Sequence, residues 1–212
     1  MTSSLYRRAT LLHRRSTTKG GALMGTSASF DTHPGRARFN AGFFTVLDGY
    51  INWLVRDKKR RVFSELPREV VEIGPGVGAN FAYMPPGSRV IAIEPNPFMH
   101  GGLLRRAARR GIDVEIRAVA GDAIDLDDQC VDAVISSLLL CTVADPDRVV
   151  AEIRRILRPG GKYAFLEHVV APEGDLAAVI HAAGFASVDI DPYRIRSPFL
   201  PANTQIAGTA IA

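Results

Sequence analysis

From Val70 onward the chain alternates short, nearly continuous apolar segments with helical or loop segments. The candidate strands are Val70–Ile73, Arg89–Glu94, Val114–Ala118, Val131–Ser136 and Lys162–Glu167. Strands that are covered on both faces are apolar along their whole length. The helical stretches between them lie near Asn80–Met84, Pro97–Arg110 and Asp145–Leu157. This alternation predicts an α/β fold: a doubly wound, Rossmann-like, mostly parallel sheet with crossover helices.

The end of the chain departs from this alternation. After a helix near Asp175–Ala183, the segments Val188–Ile195 and Thr204–Ile211 follow with only a loop between them. That loop contains Pro198 and Pro201 and leaves no room for a helix. Strands that are joined without a crossover pair antiparallel. We therefore predict that the sheet ends in an antiparallel C-terminal hairpin.

The basic charge of the chain is concentrated at its start. Residues 1–30 carry five Arg and Lys and no Asp or Glu, so the net charge of +4 leaves about −1 for the rest. Residues 1–34 lack apolar periodicity, which predicts a disordered tail, with a mitochondrial transit peptide or a start at Met24 as alternatives. A basic tail on a nearly neutral domain gives no reason to expect nucleic acid as a partner.

Residues 35–67 are predicted to form an N-terminal helical segment before the α/β domain, 68–212. Aromatic and aliphatic residues recur there at near-helical spacing, and Pro67 ends the segment. The charged run Arg56–Arg61 reads as a solvated helix face, with an anionic-ligand site as the alternative.

Composition excludes some classes of protein. No apolar run reaches the roughly 18 residues of a membrane helix, although peripheral membrane contact stays open. Cys130 and Cys141 lack metal-ligand spacing, so we expect neither a zinc site nor a disulfide framework. A chain with only two isolated cysteines is expected to be cytoplasmic. The oligomeric state is not predicted.

A glycine-rich turn follows the first strand. Gly74, Gly76 and Gly78 allow positive φ and a close approach of backbone to ligand, and amides at a following helix start favour a polar group. The second strand ends at Glu94, near the spacing at which an acid binds a ribose diol. The glycine-rich turn and Glu94 together predict a nucleoside-containing cofactor.

Two cofactors fit this turn. Gly74-x-Gly76-x-x-Ala79 also satisfies the looser dinucleotide fingerprint, which keeps an NAD-dependent oxidoreductase open. Three features favour S-adenosylmethionine (SAM). Glu72 is placed to meet the ammonium of an amino-acid cofactor, the C-terminal hairpin is unlike a dehydrogenase domain, and Gly121-Asp122-Ala123 offers a carboxylate and amides suited to adenine.

Taken together, these residues resemble the class I SAM-dependent methyltransferases over about residues 68–170 and the terminal hairpin. The resemblance implies SAM contacts from the glycine loop, the second-strand end and the loops after the third and fourth strands: Glu72, Gly74, Gly76, Gly78, Asn80, Glu94, Pro95, Asn96, Asp122, Ala123, Ser137 and Leu138.

A narrower likeness is to the alkyl-thiol and small-lipid methyltransferase-like group and its bacterial relatives. It is carried by short ordered stretches, Gly78-Ala79-Asn80-Phe81, Pro85-Pro86-Gly87, Glu94-Pro95-Asn96, Leu140-Cys141-Thr142-Val143 and Glu167-His168-Val169. It implies methyl transfer to a small apolar or amphipathic acceptor such as a thiol, a phenol or quinone, or a lipid amine. A non-catalytic SAM-binding regulator is the alternative.

The acceptor side departs from these relatives. They carry a few tens of residues after the position of Val170, and this chain does not. The acceptor side is then either open or built by the N-terminal helical segment, with Phe43 and Phe44 as wall residues. Cys141 is expected to line the same crevice. His168 is the best-placed general base, with a backbone-bonded strand-end histidine as the alternative.

Overall fold

The computed structural model describes residues 49–50, 52–169, 176–195 and 204–212. The predicted tail, Phe43, Phe44 and the proline-containing loop after residue 195 lie outside the described residues. The proposed boundaries at residues 34 and 67 stay predictions. Within the described ranges, no helix is both long enough and apolar enough to cross a membrane.

Seven strands and four α-helices make up the described chain, together with one short 3-10 helix at Ala79–Tyr83. Helix α1 covers residues 52–62. The remaining elements are β1 (Glu69–Ile73), β2 (Arg89–Ile93), α2 (Pro97–Arg110), β3 (Asp113–Arg117), β4 (Val131–Ser137), α3 (Pro146–Ile156), β5 (Leu157–His168), α4 (Leu176–Ala182), β6 (Ser187–Arg194) and β7 (Thr204–Ile211).

The strands form one sheet in the order β3-β2-β1-β4-β5-β7-β6. The five strands from β3 to β5 are parallel, and β7 pairs antiparallel with both β5 and β6. The predicted parallel sheet and its antiparallel hairpin are confirmed. The helix predicted near Asn80–Met84 is a single 3-10 turn, because the glycine loop precedes it and only four residues separate Met84 from the start of β2 at Arg89.

Apolar helix faces cover both sides of the sheet. Helix α3 begins at Pro146 with Asp145 as N-cap, whose carboxylate accepts a hydrogen bond from the Arg148 amide at 3.0 Å. Its buried stripe, Val149, Val150, Ile153 and Ile156, packs on one face with α4. Full burial of such a side chain contributes about 1.5–3 kcal/mol.

Helix α1 covers the other face, near the carboxyl end of β5 and the amino end of β7. Val55 packs against Leu166 and Ala207, and Phe63 is buried two turns further along. Lys59, midway between them, is only 3% exposed. The interpretation of Arg56–Arg61 as a solvated face is therefore wrong at Lys59, because its side chain lies on the buried stripe of the helix.

Candidate cofactor and acceptor site

The glycine loop depends on left-handed backbone at three positions. Gly74, Gly76 and Gly78 have φ values of 64°, 56° and 83°. A Cβ on Gly74 would lie 2.5 Å from Leu139 Cδ1, and a Cβ on Gly78 would lie 2.8 Å from the Phe81 ring. A Cβ on Gly76 would meet nothing within 4 Å. Packing requires the outer two glycines, whereas Gly76 borders open space.

Glu94 lies beside this open glycine. One carboxylate oxygen accepts a hydrogen bond from the Gly76 amide at 3.0 Å, and the other accepts from the Asn96 amide at 2.9 Å. The residue is 7% exposed, and its burial raises the pKa of Glu94 while the two amides oppose that shift. The glycine loop and the predicted ribose acid are thus brought together.

The neighbours of Glu94 have different surroundings. The Asn96 side chain accepts a hydrogen bond from the Phe98 amide at 3.1 Å, so Asn96 is the N-cap of α2. Pro95 is exposed between the two. Of these predicted contacts, Asn96 has a local structural role that accounts for its presence without a ligand.

Glu72 and Asn80 lie beneath the loop in a buried polar chain. Asn80 donates to a Glu72 carboxylate oxygen at 2.8 Å and accepts from the Lys59 ammonium at 2.7 Å. All three are at most 3% exposed. Lys59 also lies 5.9 Å from the centroid of the Tyr83 ring. A cation from α1 therefore supports two predicted cofactor residues.

Sequence reasoning missed Lys59, although a signal was present. Val55, Lys59 and Phe63 are spaced four residues apart, which places them on one helix face. The surrounding charges hid this spacing.

The loop after β3 holds the predicted adenine contacts. The Ile124 amide donates to Glu152 on α3 at 2.9 Å, and Arg148 donates to the Asp122 carbonyl at 3.4 Å. A Cβ on Gly121 would lie 3.0 Å from Ile73, so this loop lies against the end of β1. Asp122 is half-buried and Ala123 is exposed. The loop thus lies next to the glycine loop, and its contacts to adenine stay a prediction.

The segment after β4 is held by Glu167. This fully buried carboxylate accepts hydrogen bonds from Ser136 Oγ at 2.6 Å and from the amides of Leu139 and Leu140 at 2.8 and 2.9 Å. Burial raises the pKa of Glu167 to about 7, against the effect of these donors. The sequence had shown Glu167 only as part of a family-like stretch, and its role as an acceptor of loop amides was missed.

The predicted acceptor residues lie at the carboxyl ends of β4 and β5. Ser137 ends β4, and its hydroxyl is buried without a hydrogen-bond partner in the described part of the chain. His168 is half-buried at the end of β5. Cys141 is exposed as a residue, yet desolvation of its thiol and the Glu167 carboxylate raise the pKa of Cys141 to about 11. Its thiol is therefore protonated at neutral pH.

The C-terminal hairpin adds polar groups that the sequence did not suggest. Tyr193 on β6 lies opposite Gln205 on β7, and Gln205 lies opposite His168 on β5. Tyr193 Oη and Gln205 Oε1 are buried and make no hydrogen bond within the described residues. Lys58 forms an ion pair with Asp191 and lies 4.8 Å from the centroid of the Tyr193 ring.

Comparison with known proteins identifies the domain. Residues 71–165 match the family model described as a methyltransferase domain, and the sheet around them has the architecture given above. The chain is therefore similar to methyltransferase domains over residues 71–165. The matched residues span the glycine loop, Glu94, the loop after β3 and the segment after β4, and the match ends inside β5. This similarity disfavours the NAD-dependent alternative.

Curated relatives that match this chain are named as methyltransferases of thiols and of phosphatidylethanolamine. The human thiol S-methyltransferase TMT1B is 38% identical over 143 residues, which cover 62% of this chain and 59% of the human protein. The phosphatidylethanolamine N-methyltransferase of Cereibacter sphaeroides is 29% identical over 63% of this chain and 73% of its own length. The match thus spans less than two thirds of the human relative.

A solved structure shows the same fold. The N-methyltransferase NodS from Bradyrhizobium japonicum, in complex with S-adenosyl-L-homocysteine, superposes with a TM-score of 0.63 at 15% identity. The superposition covers 74% of this chain and 87% of NodS. The predicted family and fold class are confirmed by these comparisons.

Proposed function

We propose that this chain transfers the methyl group of SAM to a small apolar or amphipathic acceptor. The observation that carries the proposal is the open space at Gly76 beside Glu94, which we call the cradle. The Gly76 amide is bonded to the Glu94 carboxylate, its Cα borders open space, and the loops after β3 and β4 border the same edge of the sheet. Ligands bind open α/β sheets at the carboxyl ends of the strands.

Glu94 is suited to hold the ribose of SAM. Each carboxylate oxygen already accepts one backbone amide, which fixes the orientation of the group. A carboxylate offers about four lone-pair positions, so each oxygen can accept one further ribose hydroxyl. The bonds to a charged acceptor are of the stronger kind.

The other cofactor contacts surround this carboxylate. Gly74 and the Glu72–Asn80 pair lie on the methionine side, where the Glu72 carboxylate attracts the cofactor ammonium. Asp122 and Ala123 lie on the adenine side, between the glycine loop and α3. When bound, SAM supplies a methyl group that is already activated on a sulfonium. The protein then has to align the two reactants and exclude water.

The acceptor is a thiol, a quinone or phenol, or a lipid amine. Apolar side chains from α1, the segment after β4 and the hairpin, among them Val55, Leu138 and Tyr193, pack at this end of the sheet. The two relatives, a thiol and a phosphatidylethanolamine methyltransferase, support the same range. His168 is the candidate base for a phenol or amine, whereas a thiol reacts as its thiolate.

Two measurements test this function. Calorimetry with S-adenosylhomocysteine and with NADH is expected to give binding of the first only. Mass spectrometry is then expected to detect S-adenosylhomocysteine release from SAM in the presence of an alkyl thiol, a phenol or a lipid amine. Binding without release for every acceptor would favour the non-catalytic regulator, and binding of NADH alone would contradict the proposal.

A further inference from the structure

The carboxylate of Glu167 ties the end of β5 to the segment that follows β4. One oxygen accepts the Ser136 hydroxyl, and the other accepts the successive amides of Leu139 and Leu140. The residue is fully buried and touches no open space. We call residues 138–142 the β4 loop.

The β4 loop has a backbone that needs such support. Leu138 has a φ of 57°, in the left-handed region that a branched side chain rarely adopts. This kink directs the Leu139 side chain onto Gly74, where Cδ1 leaves no room for a Cβ, and Cys141 and Thr142 remain exposed. The loop therefore contacts the glycine loop on one side and borders the acceptor region on the other.

We propose that Glu167 is a positioning residue for methyl transfer, because its carboxylate holds the β4 loop in the shape that aligns the acceptor with SAM. The inference rests on the proposed function and deepens it. Glu167 acts through the loop amides and meets neither reactant. Displacement of the loop is expected to disturb acceptor placement more than cofactor binding, since Glu94 and Gly76 are held by contacts of their own.

The charged and titratable groups around Glu167 come from four elements. Lys59 of α1 lowers its pKa, and the Glu167 carboxylate raises the pKa of Tyr163 on β5, Tyr193 on β6 and Cys141 in the loop. With both tyrosine pKa values above 10, their hydroxyls remain protonated near neutral pH. Lys59 is then the cation that offsets the Glu167 charge.

A glutamine fits the same position. The Ser136 and Tyr163 hydroxyls lie 2.8 Å apart, and either can be the donor. In Glu167→Gln the side-chain oxygen can still accept the loop amides, while its NH₂ donates to Ser136 and Ser136 donates to Tyr163. Glu167→Gln is therefore the conservative variant, whereas Glu167→Ala removes the acceptors of both amides.

The experiment compares the full chain with Glu167→Ala, Glu167→Gln and the control Glu115→Gln, an exposed carboxylate on β3. Hydrogen exchange measures the protection of the Leu139 and Leu140 amides. Calorimetry measures the affinity for S-adenosylhomocysteine, and kinetics with an alkyl thiol as acceptor measure its KM. Two lost bonds to a charged acceptor predict a rise of roughly tenfold or more in the thiol KM of Glu167→Ala. Its amides should lose protection, while its S-adenosylhomocysteine affinity changes less.

The conservative variant Glu167→Gln distinguishes a positioning role of Glu167 from a role in stability alone. Glu167→Gln is expected to keep both amides protected and the thiol KM close to that of the unmodified chain. If Glu167→Ala does not fold, Glu167→Asp withdraws the acceptor by one methylene and should show the same loss of protection and rise in KM. If the folded variant, Glu167→Ala or Glu167→Asp, shows unchanged amide exchange or an unchanged thiol KM, the proposal is overturned.

Failure of the positioning role can be distinguished from failure of the proposed function. If the unmodified chain neither binds S-adenosylhomocysteine nor methylates any acceptor, the proposed function fails and the positioning role fails with it. If the unmodified chain is active and Glu167→Ala matches it in thiol KM, only the positioning role fails.

Discussion

At the scale of single residues, the glycine loop offers a matched pair of substitutions. Gly76 and Gly160 both have positive φ, 56° and 80°, and a Cβ on either would meet nothing within 4 Å. Alanine at each should cost a similar 1–2 kcal/mol or so of stability from backbone strain alone. Only Gly76 borders the cradle, so only Gly76→Ala should weaken S-adenosylhomocysteine binding, by roughly tenfold or more. Calorimetry and thermal unfolding measure the two effects, and equal affinities in both variants would contradict the assigned cradle.

Glu94 gives a second prediction at this scale. Glu94→Ala removes the acceptor of the Gly76 and Asn96 amides and of the proposed ribose hydroxyls. Hydrogen bonds to charged groups contribute about 1.5–3 kcal/mol, so the dissociation constant for S-adenosylhomocysteine should rise roughly tenfold or more. Calorimetry on the folded variant measures it, with Glu115→Gln as control. An unchanged constant would show that Glu94 only orders the backbone.

Single residues also mark the limit of sequence reasoning. The glycines and Glu94 follow from strand ends and short spacing, and the structure brings them together as predicted. Glu167 was hidden, because its importance comes from amides that follow a different strand. Nothing local in the sequence identifies a carboxylate whose donors are brought to it by the pairing of β4 with β5.

At the scale of elements, α1 is joined to the cofactor loop through one lysine. Lys59→Met removes the bond to Asn80, which in turn holds Glu72. A buried bond to a charged group predicts a loss of about 1.5–3 kcal/mol in the free energy of unfolding and weaker S-adenosylhomocysteine binding.

The neighbouring lysine on the same helix is the control. Lys58 pairs with Asp191, whose side chain is 59% exposed, so Lys58→Met should cost less than about 1 kcal/mol. Denaturant unfolding and calorimetry on both variants provide the comparison. Equal losses of stability, or unchanged binding in Lys59→Met, would contradict a link between α1 and the loop.

Helix α1 shows why element-level prediction was partial. Its apolar periodicity predicted a helix, and residues 52–62 are helical. The charged run suggested a solvated face, yet a lysine can bury its stem and ammonium where polar partners exist. Those partners, on β1 and in the 3-10 turn, are remote in sequence and become visible only once the fold is known.

At the scale of the whole molecule, Glu167 makes stability depend on pH. The pKa of Glu167 is about 7 in the folded chain, above the ordinary value of about 4.5 for a glutamate carboxyl. Between these values the folded state binds more protons than the unfolded state, so stability falls as pH rises from about 4.5 to about 7 and levels off above. At about 1.4 kcal/mol per pKa unit, the loss is roughly 3 kcal/mol.

Glu167→Gln isolates this contribution, because the other groups titrate in both proteins. Urea unfolding at pH 5 and pH 8 is expected to show the unmodified chain losing roughly 2.5 kcal/mol relative to the variant. A difference between the two proteins that does not change with pH would contradict the raised pKa of Glu167.

The architecture itself was largely predictable. Alternating apolar strands and helices gave the parallel sheet, and the missing crossover near the end gave the hairpin. The insertion of β7 between β5 and β6 did not follow from periodicity, because the antiparallel rule fixes the orientation of a strand pair but not which member joins the sheet.

The most direct test of methyl transfer uses SAM with an isotopically labelled methyl group. The protein is incubated with this SAM and, separately, an alkyl thiol, a phenol and a lipid amine, and mass spectrometry follows both products. The account predicts equal amounts of S-adenosylhomocysteine and of one labelled methylated acceptor, retained in Gly160→Ala and lost or strongly reduced in Gly76→Ala. A folded protein that binds S-adenosylhomocysteine but labels none of the three acceptors would contradict it.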